Sequence, residues 1–105
     1  MQLSHYAIKL LPSRPDFAFT MTAEERQIMQ EHVAYWMPHL QTGKMVVFGP
    51  ILDPAGPYGF GIVATDSEEE LKQLLAADPA SRINRYEYYP MMATTSDMVA
   101  PVIEE

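Results

Sequence analysis

The stretch from Thr22 to Gly43 carries both end signals of one long helix, and that helix constrains everything else a 105-residue chain can build. Thr22 and Glu25 form a capping box, in which the hydroxyl takes the backbone N–H three residues on and the carboxylate reaches back to the Thr22 N–H. Gly43 supplies the stop, because it adopts a left-handed backbone at little cost. At about 100° per residue, Ile28, Met29, Val33, Trp36 and Leu40 share one stripe, while Gln27, Gln30, Glu31 and Ala34 lie opposite. Pro38 falls on the outer side, where it bends the last turn around the core. A helix with one apolar stripe needs a second layer to cover it.

The flanking segments supply that layer. Residues 3–11 read as a strand, with Tyr6, Ile8 and Leu10 on one face and Leu3, His5, Ala7 and Lys9 on the other, ended by Pro12. Residues 12–20 are a proline-rich loop, long for a small domain, and are expected to act as a lid or arm over a pocket. Residues 44–50 form a strand stopped by Gly49-Pro50, 53–59 are turn material, and 58–65 form the next strand. A second helix starts at Asp66 or Ser67, with Glu68, Glu69 and Glu70 at its positive end, and closes at Asp78-Pro79. Residues 82–91 alternate as a last strand, with Ile83, Arg85, Glu87 and Tyr89 against Asn84, Tyr86, Tyr88 and Pro90.

The order β-α-β-β-α-β predicts an α+β, ferredoxin-like fold, with a four-stranded antiparallel sheet and two helices on one face. The other face alternates in residues too apolar and aromatic for water, so sheet-to-sheet pairing in a homodimer is expected. The fold takes residues 1–93. Residues 94–105 form a tail, with Met98, Val99, Val102 and Ile103 making either an arm on a partner subunit or a disordered acidic end.

Composition narrows the functions. The chain has no cysteine, which removes thiol nucleophiles, disulfides and thiolate metal sites together. A net charge of −7, with seven scattered basic residues, argues against nucleic acid. No apolar run approaches the roughly 20 residues of a membrane span, and the start MQLSHYAIKLL lacks the pattern of a signal peptide. A cytoplasmic protein with a small-molecule partner, and itself, fits these limits.

His32 lies inside the apolar stripe, one turn after Ile28 and one turn before Trp36. It is either a hydrogen-bonded core histidine or the acid–base group of a site. A purely apolar core offers no partner for both ring nitrogens, whereas a pocket under the helix would use them. Asp78 is a good helix-stop with Pro79, but its carboxylate meets the unfavourable end of the helix dipole unless another group uses it. A histidine oriented by such a carboxylate is a dyad. His5 sits on a strand, facing either a barrel interior or the surface. His39 reads as a solvated helix-end residue. The three histidines show no metal-ligand spacing, so no metal site is expected. Tyr58, Phe60, Tyr86, Tyr88 and Tyr89 form either an aromatic pocket or core and interface.

With His32 on its helix, Gly43-Lys44, Phe48-Gly49-Pro50, Gly59/Gly61 and Asp78-Pro79, the chain resembles the YCII-related (YciI-like) family over residues 3–91. The resemblance implies a dimeric α+β barrel, an active-site pair at His32 and Asp78, and a Gly49-Pro50 turn lining the same pocket. Trp36, His5 and Tyr58 are the further residues expected to contact substrate. Most family members have no assigned reaction. A dehydrochlorinase acting on chlorinated hydroquinones resembles the family, and related barrels include muconolactone isomerases. What this implies is cofactor-free acid–base chemistry, elimination or isomerisation, on a small cyclic or aromatic compound. The alternative is a non-catalytic dimeric module that binds a small ligand or regulates a partner. Loop 12–20 and the tail depart from the family pattern, and both are placed to reshape the pocket.

Overall fold

Residues 3–98 are described in a computed structural model of the chain. Strand β1 (Ser4–Leu11) alternates as its sequence does, with Tyr6, Ile8 and Leu10 buried and the residues between them half-covered. It is central in the sheet. It pairs antiparallel with β3 (Tyr58–Thr65), matching Ile8 to Gly61, and with β4 (Arg85–Met91), matching Leu10 to Tyr86. Strand β2 (Met45–Ile51) adds outside β3, giving the order β2-β3-β1-β4. The expected α+β ferredoxin-like sheet holds. Its buried side, Tyr6, Ile8, Met45 and Val63, packs with Trp36, Leu71 and Leu75 from the helices.

One short and two longer helices accompany the sheet. Helix α1 (Phe17–Thr20) is a single turn, α2 (Ala23–Thr42) is the long helix, and α3 (Glu68–Ala77) follows β3. The α2 capping box is present in both directions, and Gly43 closes the helix at φ 83° with its N–H on the Leu40 carbonyl. Ser67 rather than Asp66 caps α3.

Three expectations change. Residues 12–20 are not irregular throughout, because 17–20 coil into α1 with Phe17 buried. Arg14 organises this segment by donating to the Thr20 carbonyl and hydroxyl and to both Glu25 oxygens. The last strand starts at Arg85 rather than residue 82, since Asp78 caps a 3-10 turn, Pro79–Arg82, that occupies the intervening chain. The α2 stripe is only partly covered: Trp36 is fully buried, but Val33 is 47% exposed and Leu40 37%. Helix α2 packs on the edge strand β2 and on the 3-10 turn, so only the flank facing them is covered.

The face of the sheet away from the helices carries Ala7 and Lys9 of β1, Phe60 and Ile62 of β3, Val47 and Ile51 of β2, and Tyr89 and Met91 of β4. Val47 and Tyr89 are each about half exposed. After β4 the chain makes a 3-10 turn at Ser96–Met98. The expected roles of Val99, Val102 and Ile103 lie outside the described residues.

Candidate functional site

Asp78 leaves α3 because Pro79 excludes the helical conformation from the residue before it, and its backbone turns to φ −69°, ψ 126°. One carboxylate oxygen, Oδ1, accepts the Ala80 N–H at 2.9 Å and so opens the 3-10 turn. The other, Oδ2, faces three donors from two further elements. His32 Nδ1 lies at 2.7 Å, Trp36 Nε1–H donates at 2.8 Å, and the Tyr86 hydroxyl donates as well. His32 and Trp36 reach it together because residues four apart share a helix face. Tyr86 reaches it because its register with Leu10 puts it on the helix side of β4.

Only 1% of Asp78 is exposed. Burial alone pushes its carboxyl up, but the hydrogen bonds from His32, Tyr86 and the Ala80 N–H, with the attraction of His32, outweigh that and hold it below the usual aspartate range. Burial first, then the Asp78 charge and hydrogen bond, push the Tyr86 phenol far above its ordinary value, so it remains a donor. A buried carboxylate with all its donors in place is a satisfied group rather than a stranded charge.

The state of Asp78 fixes the tautomer of His32. An ionised carboxylate only accepts, so Nδ1 carries the proton, and in the neutral ring Nε2 holds the lone pair. Among the described residues Nε2 has no hydrogen-bond partner. The ring stands edge-on to Phe48, with centroids 6.2 Å apart, and its side chain is 12% exposed.

That exposure opens on a cleft of about 340 Å³, within the size range of small-molecule sites. Helix α2 contributes His32, Val33 and Trp36, β2 contributes Phe48 and the Gly49-Pro50 pair, and Phe17 and Met21 close one side. Gly59, opposite Leu10, keeps part of the floor low; a Cβ there would come within 3.1 Å of the Leu10 Cβ. Among the described residues, no Asp, Glu, Lys or Arg lines the cleft.

The structure brings His32, Trp36, Gly49, Pro50 and Tyr58 to this cleft, with Asp78 directly behind His32. Trp36 contributes an apolar wall, since its N–H is engaged by Asp78. Tyr58 contributes at the rim only, because it pairs with Ile51 on the open face and its ring lies 5.0 Å from the Lys9 Nζ. His5 does not belong to the cleft. Strand parity turns it away from the helix side, opposite Met91, into a separate depression with Leu3, Met92 and Met98. The sequence left Tyr86 open between an aromatic pocket and the core, and gave Asn84 no role; both line the cleft. Alternation along residues 82–91 already put both on one face, a usable signal, but nothing local marked that face as a cleft wall.

A protein-family model, the YCII-related domain, matches residues 6–95, a span that contains the whole Asp78 cluster. No curated protein matches the chain.

Proposed function

The chain belongs to the YCII-related family, and we propose that it is a small enzyme that moves protons on an uncharged cyclic or aromatic molecule, with His32 as general base and acid and Asp78 as the group that orients its ring. One observation carries this reading: His32 is bonded through Nδ1 to a buried carboxylate, with Nε2 beside a cleft and unpaired among the described residues. A neutral imidazole in that state accepts a proton at Nε2, and Asp78 stabilises the imidazolium that results. The same ring then returns the proton to another atom of the substrate or to a leaving group. Elimination and isomerisation both consist of such a pair of transfers.

The cleft wall supports an uncharged substrate, since among the described residues it carries no Asp, Glu, Lys or Arg and His32 is its one ionisable imidazole. Trp36 and Tyr86 act through Asp78, holding the carboxylate so that the ring it orients cannot swing. The apolar open face of the sheet supports a homodimer as the working form.

Solvent deuterium exchange tests the chemistry before any product is known. Small uncharged cyclic ketones and phenols incubated in D₂O with the protein should gain deuterium at carbon, and His32→Asn should abolish the gain. Binding of such rings with no exchange that depends on His32 would leave a ligand-binding module instead. Long-range ¹H–¹⁵N spectra of the neutral ring should show the proton on Nδ1; a proton on Nε2 would remove the proposed base.

A further inference from the structure

Apart from Tyr58 at its rim, the cleft holds two polar side chains that are not used up by the Asp78 cluster: His32, through Nε2, and Asn84. Asn84 stands between the 3-10 turn and β4, with its backbone N–H fixed on the Ala80 carbonyl at 2.9 Å. Its side-chain nitrogen donates only to the Met29 sulfur, a weak acceptor, at 3.5 Å. Its carbonyl oxygen is buried without a partner, and among the described residues it is the one buried side-chain polar atom in that condition. Exchanging the amide oxygen and nitrogen does not help, because the nitrogen would then occupy the same unpaired position. A buried acceptor with no donor destabilises a fold, and a leucine of similar volume would carry no such penalty. A donor carried by a bound molecule would satisfy this oxygen.

We propose that Asn84 is a positioning residue of the cleft, whose carbonyl oxygen accepts a hydrogen bond from a hydroxyl or N–H on an uncharged, otherwise apolar ring. Held at that point, the ring has one edge fixed by Asn84 and presents another to His32. The apolar remainder of the wall, from Phe17, Met21, Phe48 and Trp36, is indifferent to rotation of a bare hydrocarbon. One directional contact is what selects a single orientation. The inference rests on the reading of the cleft as a ligand site.

Phenol and toluene separate the two ideas, because they have nearly the same shape and differ by a hydroxyl in place of a methyl. Their dissociation constants for the full chain follow from NMR shifts of the His32 ring and the Phe48 and Met21 signals. Asn84→Leu should lower the affinity for phenol relative to toluene by about tenfold while toluene still binds. Asn84→Ala, which cannot overfill the wall, should move the ratio the same way. An unchanged ratio in both variants overturns the role of Asn84 and leaves the cleft as a ligand site. A lower thermal midpoint with an unchanged ratio makes Asn84 structural, which also overturns it. If neither ring binds the wild-type protein, the reading of the cleft falls, and this inference with it.

Discussion

At Asp78 one carboxylate accepts from His32, Trp36, Tyr86 and the Ala80 N–H, so removing the acceptor and removing a single donor are very different changes. Asp78→Ala strands buried donors on two helical segments and a strand, and should cost about 3–5 kcal/mol in denaturant unfolding. His32→Asn leaves Asp78 with three donors, and should cost no more than about 1.5 kcal/mol while abolishing proton exchange into substrate. Equal losses in the two variants would make His32 a structural tie. The pH dependence follows from the depressed Asp78 carboxyl. A folded-state value below the unfolded one contributes stability that is present above the ordinary carboxyl value of 3.8 and is lost as pH falls through the folded one. The chemical-denaturation midpoint should therefore hold down to about pH 4 and fall below it, less steeply in Asp78→Asn. Glu25, lowered to about 2 by its hydrogen bonds from Arg14 and the Thr22 N–H, acts in the same direction, but in the open, where water screens it. The sequence made His32 and Asp78 legible as a pair because an inward histidine and a helix-stop carboxylate each lacked a partner. What it did not show is the second use of Asp78, since Asp-Pro ends one helix and caps the next turn with the same two residues.

Among the elements, the ends of α2 were readable because every signal lies within four residues of the end it marks. Helix α1 was not. Its N-cap Asp16 makes no side-chain cap, and its shape depends on Arg14 reaching Glu25, 11 residues away on another helix. No window of local pattern contains that contact. Phe17, Ala18 and Met21 of this segment lie against the cleft, so the Arg14–Glu25 pair governs how firmly one wall is held. Arg14→Ala should speed amide hydrogen exchange at Phe19 and Thr20, whose N–H groups donate to the Asp16 carbonyl, and leave the centre of α2 unchanged. Its effect on global stability should be about 1 kcal/mol or less, as for other partly exposed ion pairs. Unchanged exchange at those two amides would show that Phe17 burial alone holds the turn. The covering of α2 was overestimated for a related reason. A stripe of five apolar residues gives the direction of the core but not the width of the sheet beneath it, and α2 packs on an edge strand.

For the whole molecule, period-two alternation made the faces of the first and last strands legible, because parity decides a strand's inner and outer residues where pairing is regular. In β2 a register shift between Met45 and Val47 puts two residues of the same parity on opposite faces, which alternation alone does not reveal. What lies against the open face is a different matter, since one chain cannot cover it. Along β2, β3 and β4 that face presents Val47, Ile51, Phe60, Ile62, Tyr89 and Met91, with Lys9 and Glu87 facing each other between β1 and β4. A chain carrying a net −7 gains nothing electrostatically from meeting its copy. Any pairing must therefore come from apolar burial, which salt does not screen. This gives the homodimer a specific signature. Sedimentation should return twice the 11.9 kDa chain mass at micromolar concentration, and the value should hold or tighten as salt is raised. Val47→Asp combined with Tyr89→Asp adds four buried charges to a two-fold interface and should yield monomers with the fold intact, since both residues are about half exposed in the single chain. A wild-type protein that sediments as a monomer would mean that the open face stands in water. The cleft, built from one chain's α1, α2, β2 and β3, should then bind phenol unchanged in the monomeric variant, whereas loss of binding on dissociation would show that the partner copy completes the site.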